Sequence, residues 1–204
     1  MKKEYILIVL ALSIAVVYYF FGTQHVSVRN YPPKNDIIVA FGDSLVEGRG
    51  STPGNDFVSL LSRKIHKPIL NLGVAGNTTE DGLGRLDDVL KQNPGTVIVL
   101  FGGNDYIRNI PRERTFENLR QIISTLQQDG VFVILLGIQG GILTDSYESS
   151  FDALAQETNV LYVPNVLGGL FGNPKFMSEV VHPNDLGYAK IADKIYNIIA
   201  GYIW

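Results

Sequence analysis

The sequence predicts a three-layer α/β/α sandwich on a five-stranded parallel sheet, and two observations carry that prediction. Short apolar, β-branched runs recur along the chain, each closed by glycine or by a polar loop. They are too short for typical helices and read as strands buried on both faces. Between them lie longer stretches with apolar residues at helical spacing. Strands alternating with helices at this interval pack as a parallel sheet covered by helices.

The first strand is Ile37-Ile38-Val39-Ala40-Phe41, and Phe57, Val58, Leu60, Leu61 and Ile65 mark the helix after it. Ile69 to Leu72 is the second strand. Gly73 to Thr79 then forms a loop whose glycines let backbone approach a ligand closely. Leu83, Leu86, Val89 and Leu90 predict one helix, stopped by Asn93-Pro94-Gly95. Thr96 to Phe101 is the clearest strand. Phe116, Leu119, Ile122, Ile123 and Leu126 mark the next helix, Asp129-Gly130 ends it, and Val131 to Leu136 is the fourth strand. Beyond the glycine-rich loop Gly137 to Ile142, a helix from about Tyr147 to Glu157 leads to the fifth strand, Val160 to Val163. Ile191, Ile195, Ile198 and Ile199 give the apolar face of the last helix.

Three segments divide the 204 residues. Tyr5 to Gly22 is an apolar run without a charged residue, near the length of about 20 that spans a bilayer. Lys2 and Lys3 precede it and Tyr18-Tyr19-Phe20-Phe21 closes it as an aromatic belt, so residues 1–22 are expected to anchor the chain with its amino terminus in the cytoplasm. A cleaved signal peptide, leaving a secreted or periplasmic chain, is the rival reading. The run exceeds a signal's usual apolar core and lacks a small-x-small cleavage site. Residues 23–35, with Pro32-Pro33, are expected as an extended linker, and residues 36–204 as one domain. The net charge of −3 and the absence of a Lys/Arg-rich stripe argue against nucleic acid as a partner. No cysteine is present, which excludes disulfides, cysteine-ligated zinc and acylation at an N-terminal cysteine.

Ser44 follows the first strand in Phe41-Gly42-Asp43-Ser44-Leu45, at the carboxyl edge where open α/β sheets bind ligands. A serine hydroxyl needs a base to become a nucleophile. Of the three histidines, His25 follows the apolar run and His66 ends a charged helix. His182, in Glu179-Val180-Val181-His182-Pro183-Asn184, stands just before the last helix and is the one convincing base. The bland alternative is that Ser44 and His182 merely cap the helices that follow them.

Gly42-Asp43-Ser44-Leu45, Gly76 in Ala75-Gly76-Asn77-Thr78, Gly103-Asn104-Asp105 and His182-Pro183 stand in the four-block order of the GDSL family, or SGNH hydrolases, which the chain resembles from about Asp36 to its end. Within that family it looks most like small bacterial esterases with thioesterase, arylesterase and lysophospholipase activities. The resemblance implies a flavodoxin-like strand order and a serine esterase with Ser44 as nucleophile and His182 as base. It also assigns the oxyanion hole to the Ser44 and Gly76 backbone N–H groups and the Asn104 side-chain amide. Gly73 is the competing turn glycine near Gly76. Where the family places an aspartate three residues before the histidine, this chain has Glu179. Glu179 is the favoured acid, Asp185 the alternative, and a Ser44–His182 dyad the fallback. Asp43 is expected to brace its turn and Asp105 to serve structure. No metal or organic cofactor is implied. The expected substrate is a small-molecule, lipid or glycan acyl ester, with the Gly137–Ile142 loop either shaping an acyl pocket or simply turning the chain. A polysaccharide deacetylase, an acyltransferase on the same residues and a catalytically silent binding module remain as rivals.

Overall fold

The computed structural model describes residues 27–138 and 146–202. The anchor expected over residues 1–22 lies outside the described residues, as does most of the 137–142 loop. Among the described residues, no helix is long and apolar enough to cross a membrane.

Five parallel strands form one sheet: β1 (Ile38–Gly42), β2 (Ile69–Gly73), β3 (Thr96–Leu100), β4 (Phe132–Leu136) and β5 (Leu161–Val163), in the order β2-β1-β3-β4-β5. This is the flavodoxin-like order. Every residue of β1, β3 and β4 is buried, as continuous apolar strands covered on both faces must be, while edge strand β2 is partly exposed. In register, Gly42 at the end of β1 stands beside Gly73 on one side and Leu100 on the other. The strand order reverses at β1, so the crevice opens where β1 and β3 release their chains.

Helices α2 (Phe57–Ile65) and α8 (Asp185–Ile199) pack on each other as one layer. A second group consists of α3 (Thr79–Gly84), α6 (Arg112–Gln128) and α7 (Ser146–Thr158), with α6 packed against both others. Apolar spacing forecast the long helices. It missed α1 (Ser44–Glu47) and α5 (Gly103–Ile107), each about a turn long and set at a strand's carboxyl end. The single helix expected through Leu83 to Leu90 is two, α3 and α4 (Leu86–Leu90), parted at Arg85. The break has a local cause, since Gly82 and Gly84 weaken the helix there and Arg85 is drawn to acceptors on β1 and β2.

Residues 28–36 do not run free as the end of a linker; they cross the amino-terminal edge of the sheet. The Arg29 N–H donates to the Asn159 carbonyl (2.8 Å) ahead of β5, and the Asn30 amide donates to the carbonyls of Gln127 and Val131 ahead of β4. The Tyr31 ring packs 5.5 Å from that of Phe132, and Lys34 pairs with Asp129 at 2.7 Å. The chain thus enters the domain at the edge opposite Ser44.

Candidate active site

Ser44 opens α1 directly after β1. Asp43 caps that helix, its Oδ1 accepting from the Leu45 N–H at 3.0 Å, which fixes the turn on which the serine stands. As the first residue of the helix, Ser44 has a backbone N–H with no intrahelical acceptor, so it is free to face a ligand. Its Oγ lies 2.9 Å from His182 Nε2, across 138 residues of sequence.

His182 sits at the end of the loop between β5 and α8. Residues 177 and 183 pair in an isolated antiparallel bridge, and the Ser178 N–H donates to the His182 carbonyl at 2.9 Å, so the five residues between fold back as a closed turn. That turn brings Glu179 Oε1 to 2.9 Å from His182 Nδ1. A carboxylate only accepts, so Nδ1 carries the proton and Nε2 accepts from the Ser44 hydroxyl. Gly50, at φ +94°, lies directly under this turn. A Cβ there would fall on Ser178 Oγ and the Pro183 carbonyl, so the loop packs closely only on glycine. Asp185 does not reach His182. Its carboxylate accepts from the Thr52 N–H (2.7 Å) and hydroxyl (2.6 Å) and from the Asn55 amide (3.3 Å), which hold it below the usual carboxylate range.

Asn104, near the start of α5, donates its side-chain amide to the Asn77 carbonyl at 2.9 Å and stands 3.5 Å from Asp43 Oδ2. One amide hydrogen therefore anchors the residue to the Gly76 loop, and the other makes a long hydrogen bond to Asp43 at the pocket wall. Gly76, at φ +81°, lies on the turn closed by the Asn77 N–H donating to the Val74 carbonyl, and its own carbonyl accepts from Arg108 at 2.7 Å. Gly73 instead pairs with Gly42 inside the sheet and is not on the pocket wall.

Two carboxylates lie buried beneath this surface. Asp105 accepts from the Thr79 N–H (2.9 Å) and hydroxyl (2.5 Å), and Asn118 in turn donates to that hydroxyl at 3.0 Å, so Asp105 ties α5 to α3. Asp43 is harder to ionise. Burial pushes its carboxyl up to about 7; the Leu45 N–H pulls it down and the charge of Asp105 pushes it further up. Asp43 lines the same pocket as His182, whereas Asp105 is not on its wall.

Arg85 belongs to the site although no sequence motif marks it. Its guanidinium donates to Asn77 Oδ1 (2.6 Å), the Leu72 carbonyl (2.8 Å) and the Gly42 carbonyl (2.6 Å), and lies 4.4 Å from the centre of the Phe41 ring. It therefore clamps the ends of β1 and β2 to the loop that carries Gly76. An arginine inside an apolar helical pattern, just after Gly82 and Gly84, was the available signal.

The pocket above these groups measures about 370 Å³, a size suited to a small-molecule site. Ser44, Gly76, Asn104 and His182 line it, and Leu45, Ile107, Ile138, Leu167, Phe171 and Val181 supply its apolar wall. Ile138 places the start of the 137–142 loop in that wall.

Residues 40–190 match the model of the GDSL-like Lipase/Acylhydrolase family. The chain belongs to that family. It is 29% identical over 167 residues to thioesterase 1/protease 1/lysophospholipase L1 of Escherichia coli, a match covering 78% of this chain and 80% of that one. It is 27% identical over 168 residues to an arylesterase of Vibrio mimicus, covering 76% and 84% of the two chains. Among solved structures, the psychrotrophic esterase EstA from Pseudoalteromonas sp., inhibited by monoethylphosphonate, superposes with a TM-score of 0.75 at 24% identity, covering 82% of this chain and 98% of that one. At that identity the superposition shows the shared fold.

Proposed function

We propose that this family member is a serine esterase that forms an acyl-enzyme on Ser44, with His182 as general base and Glu179 as the acid that orients it. Hydrolysis of ester bonds is the reaction class that family membership gives; the residue roles rest on the site. The observation that carries them is the chain of two hydrogen bonds, Ser44 Oγ to His182 Nε2 and His182 Nδ1 to Glu179 Oε1, each 2.9 Å.

His182 takes the Ser44 proton as Oγ attacks the ester carbonyl carbon, and Glu179 stabilises the imidazolium that results. The carbonyl oxygen becomes an oxyanion facing the Ser44 and Gly76 N–H groups and the Asn104 amide, which exchanges its long hydrogen bond to Asp43 for one to the oxyanion. Collapse expels the alcohol, or a thiol from a thioester, which takes its proton from His182. Water activated by the same base then releases the acid and restores Ser44. The apolar wall receives the acyl chain, and each methylene buried there adds up to about 0.8 kcal/mol.

A panel of aryl esters of increasing acyl length tests this reading in the full chain. Expected is a rise in kcat/KM with chain length until the pocket is filled, and loss of turnover once an organophosphonate has attached to Ser44. Activity on acetyl esters alone, or phosphonate attached to another residue, would overturn it.

The apolar run Tyr5–Gly22 supports a further part of the proposal, a membrane anchor with the domain on the outer side. Because residues 28–36 lie on the amino edge, the pocket would open away from the anchoring bilayer. The intact protein should stay with membranes after an alkaline wash. Recovery of a soluble chain beginning near residue 22 would favour a secreted product instead.

A further inference from the structure

Arg49 lies just after α1 and lines the pocket, and its Nε is 3.5 Å from Glu179 Oε1, the oxygen that also meets His182. Its backbone is well fixed. The Arg49 N–H donates to the Ser44 carbonyl at 3.0 Å, and its own carbonyl accepts from the hydroxyl of Tyr188 at 2.8 Å, a residue whose ring is buried. Glu179, in contrast, has a side chain 51% exposed, on a loop whose residues 178–181 are all exposed. An exposed glutamate has many rotamers to lose before its carboxylate can stay on one imidazole nitrogen. An aspartate three residues before the histidine would reach less far and have fewer rotamers.

We propose that Arg49 is a positioning residue that holds the Glu179 carboxylate on His182 and so makes a glutamate serviceable at this place. The proposal rests on the reading of Glu179 as the acid of the site. Arg49 is rooted in the turn that carries the nucleophile, so its side chain ties the serine half of the site to the loop that carries the base. The charged groups around His182 are few. Glu179 comes from its own loop, Arg49 from the turn after α1 and Asp43 from the end of β1, while Asp185 at the start of α8 is engaged by Thr52. Arg49 is thus the cation that pairs with the carboxylate beside the ring.

Arg49→Ala, Arg49→Lys, Glu179→Asp and the double variant Arg49→Ala/Glu179→Asp, assayed on a neutral aryl ester at low and high salt, test this. An exposed ion pair is worth little, so Arg49→Ala should lower kcat about two- to fivefold with KM nearly unchanged. The loss should shrink at high salt, where the parent's ion pair is screened. Arg49→Lys keeps the charge and should recover most of the loss. In the Glu179→Asp background the carboxylate is drawn back from Arg49, so adding Arg49→Ala should cost almost nothing.

An equal loss from Arg49→Ala in both backgrounds, or no recovery in Arg49→Lys, would overturn the proposal. So would a raised KM confined to anionic esters with kcat intact, which would make Arg49 a substrate contact. If Glu179→Gln is as active as the parent, the fault lies instead with Glu179 as the acid, and that result is separate from any behaviour of Arg49.

Discussion

Ser44 and Asn104 leave strands β1 and β3, whose every residue is buried, whereas His182 and Glu179 stand on a loop whose residues 178–181 are exposed. The first half is held from below by the Asp43 cap, the Asp105 network and the three hydrogen bonds of Arg85. The second is held by a short bridge, a few backbone hydrogen bonds and close packing on Gly50. The proposed nucleophile and oxyanion donors need a fixed geometry toward a reacting carbon, and the buried half supplies it. The exposed half needs only to present a ring nitrogen and a carboxylate. There a longer acidic side chain can extend into solvent without displacing a packed neighbour, which is why a glutamate fits where the family resemblance implies an aspartate.

Substitutions should separate the two halves. The largest effect is expected in the buried half, where Ser44→Ala should lower kcat by a factor on the order of 10⁶ while leaving the melting temperature nearly unchanged. Asn104→Ala comes next. If its amide meets charge that develops in the transition state, as proposed, kcat should fall about 10² to 10³-fold with little change in KM. Steady-state kinetics on one aryl ester checks both, and a normal kcat with raised KM for Asn104→Ala would move that residue from the oxyanion to substrate binding.

In the exposed half, Gly50→Ala forces a side chain into left-handed backbone and against the His182 loop. It should cost about 1–3 kcal/mol in stability and lower turnover, because the loop must lift from Ser44. Unchanged kinetics would mean that the loop holds its place without Gly50.

The smallest effect on rate, and a distinct one on stability, is expected at Asp43. Its carboxyl is raised to about 7, so the folded chain keeps a proton that the unfolded chain has released. The stability tied to that proton is fully present below a pH of about 4 and is lost as pH rises through about 7. Asp43→Asn, which stays neutral, should flatten the fall in melting temperature over that range relative to the parent. An equal slope in both proteins would contradict a raised carboxyl at this position.

The same contrast explains what was legible in the sequence. β1, β3 and β4 are apolar runs, and α6 and α8 carry regular apolar faces, so periodicity alone revealed the layers. Ser44 and His182 stood out as a serine at a strand end and a histidine before the last helix. Arg85 did not, because its acceptors are backbone carbonyls on two other elements. Nor did the raised carboxyl of Asp43, which depends on burial beneath α1. The helix break at Arg85 and the one-turn helices α1 and α5 depend on caps and neighbouring loops, to which a helical repeat is blind. The choice between Glu179 and Asp185, each three residues from His182, was open in the sequence; in space, one meets the ring and the other meets Thr52.

The most direct measurement is therefore kcat/KM for Glu179→Gln beside Asp185→Asn, on the same neutral ester and with folding checked by melting temperature. An amide at 179 can donate where the carboxylate only accepts, which favours the wrong imidazole tautomer. The account predicts a loss for Glu179→Gln that approaches the factor of about 10⁴ known for the corresponding amide substitution in a serine protease triad, and a change of no more than a few-fold for Asp185→Asn. A crippled Asp185→Asn beside a fully active Glu179→Gln would contradict it.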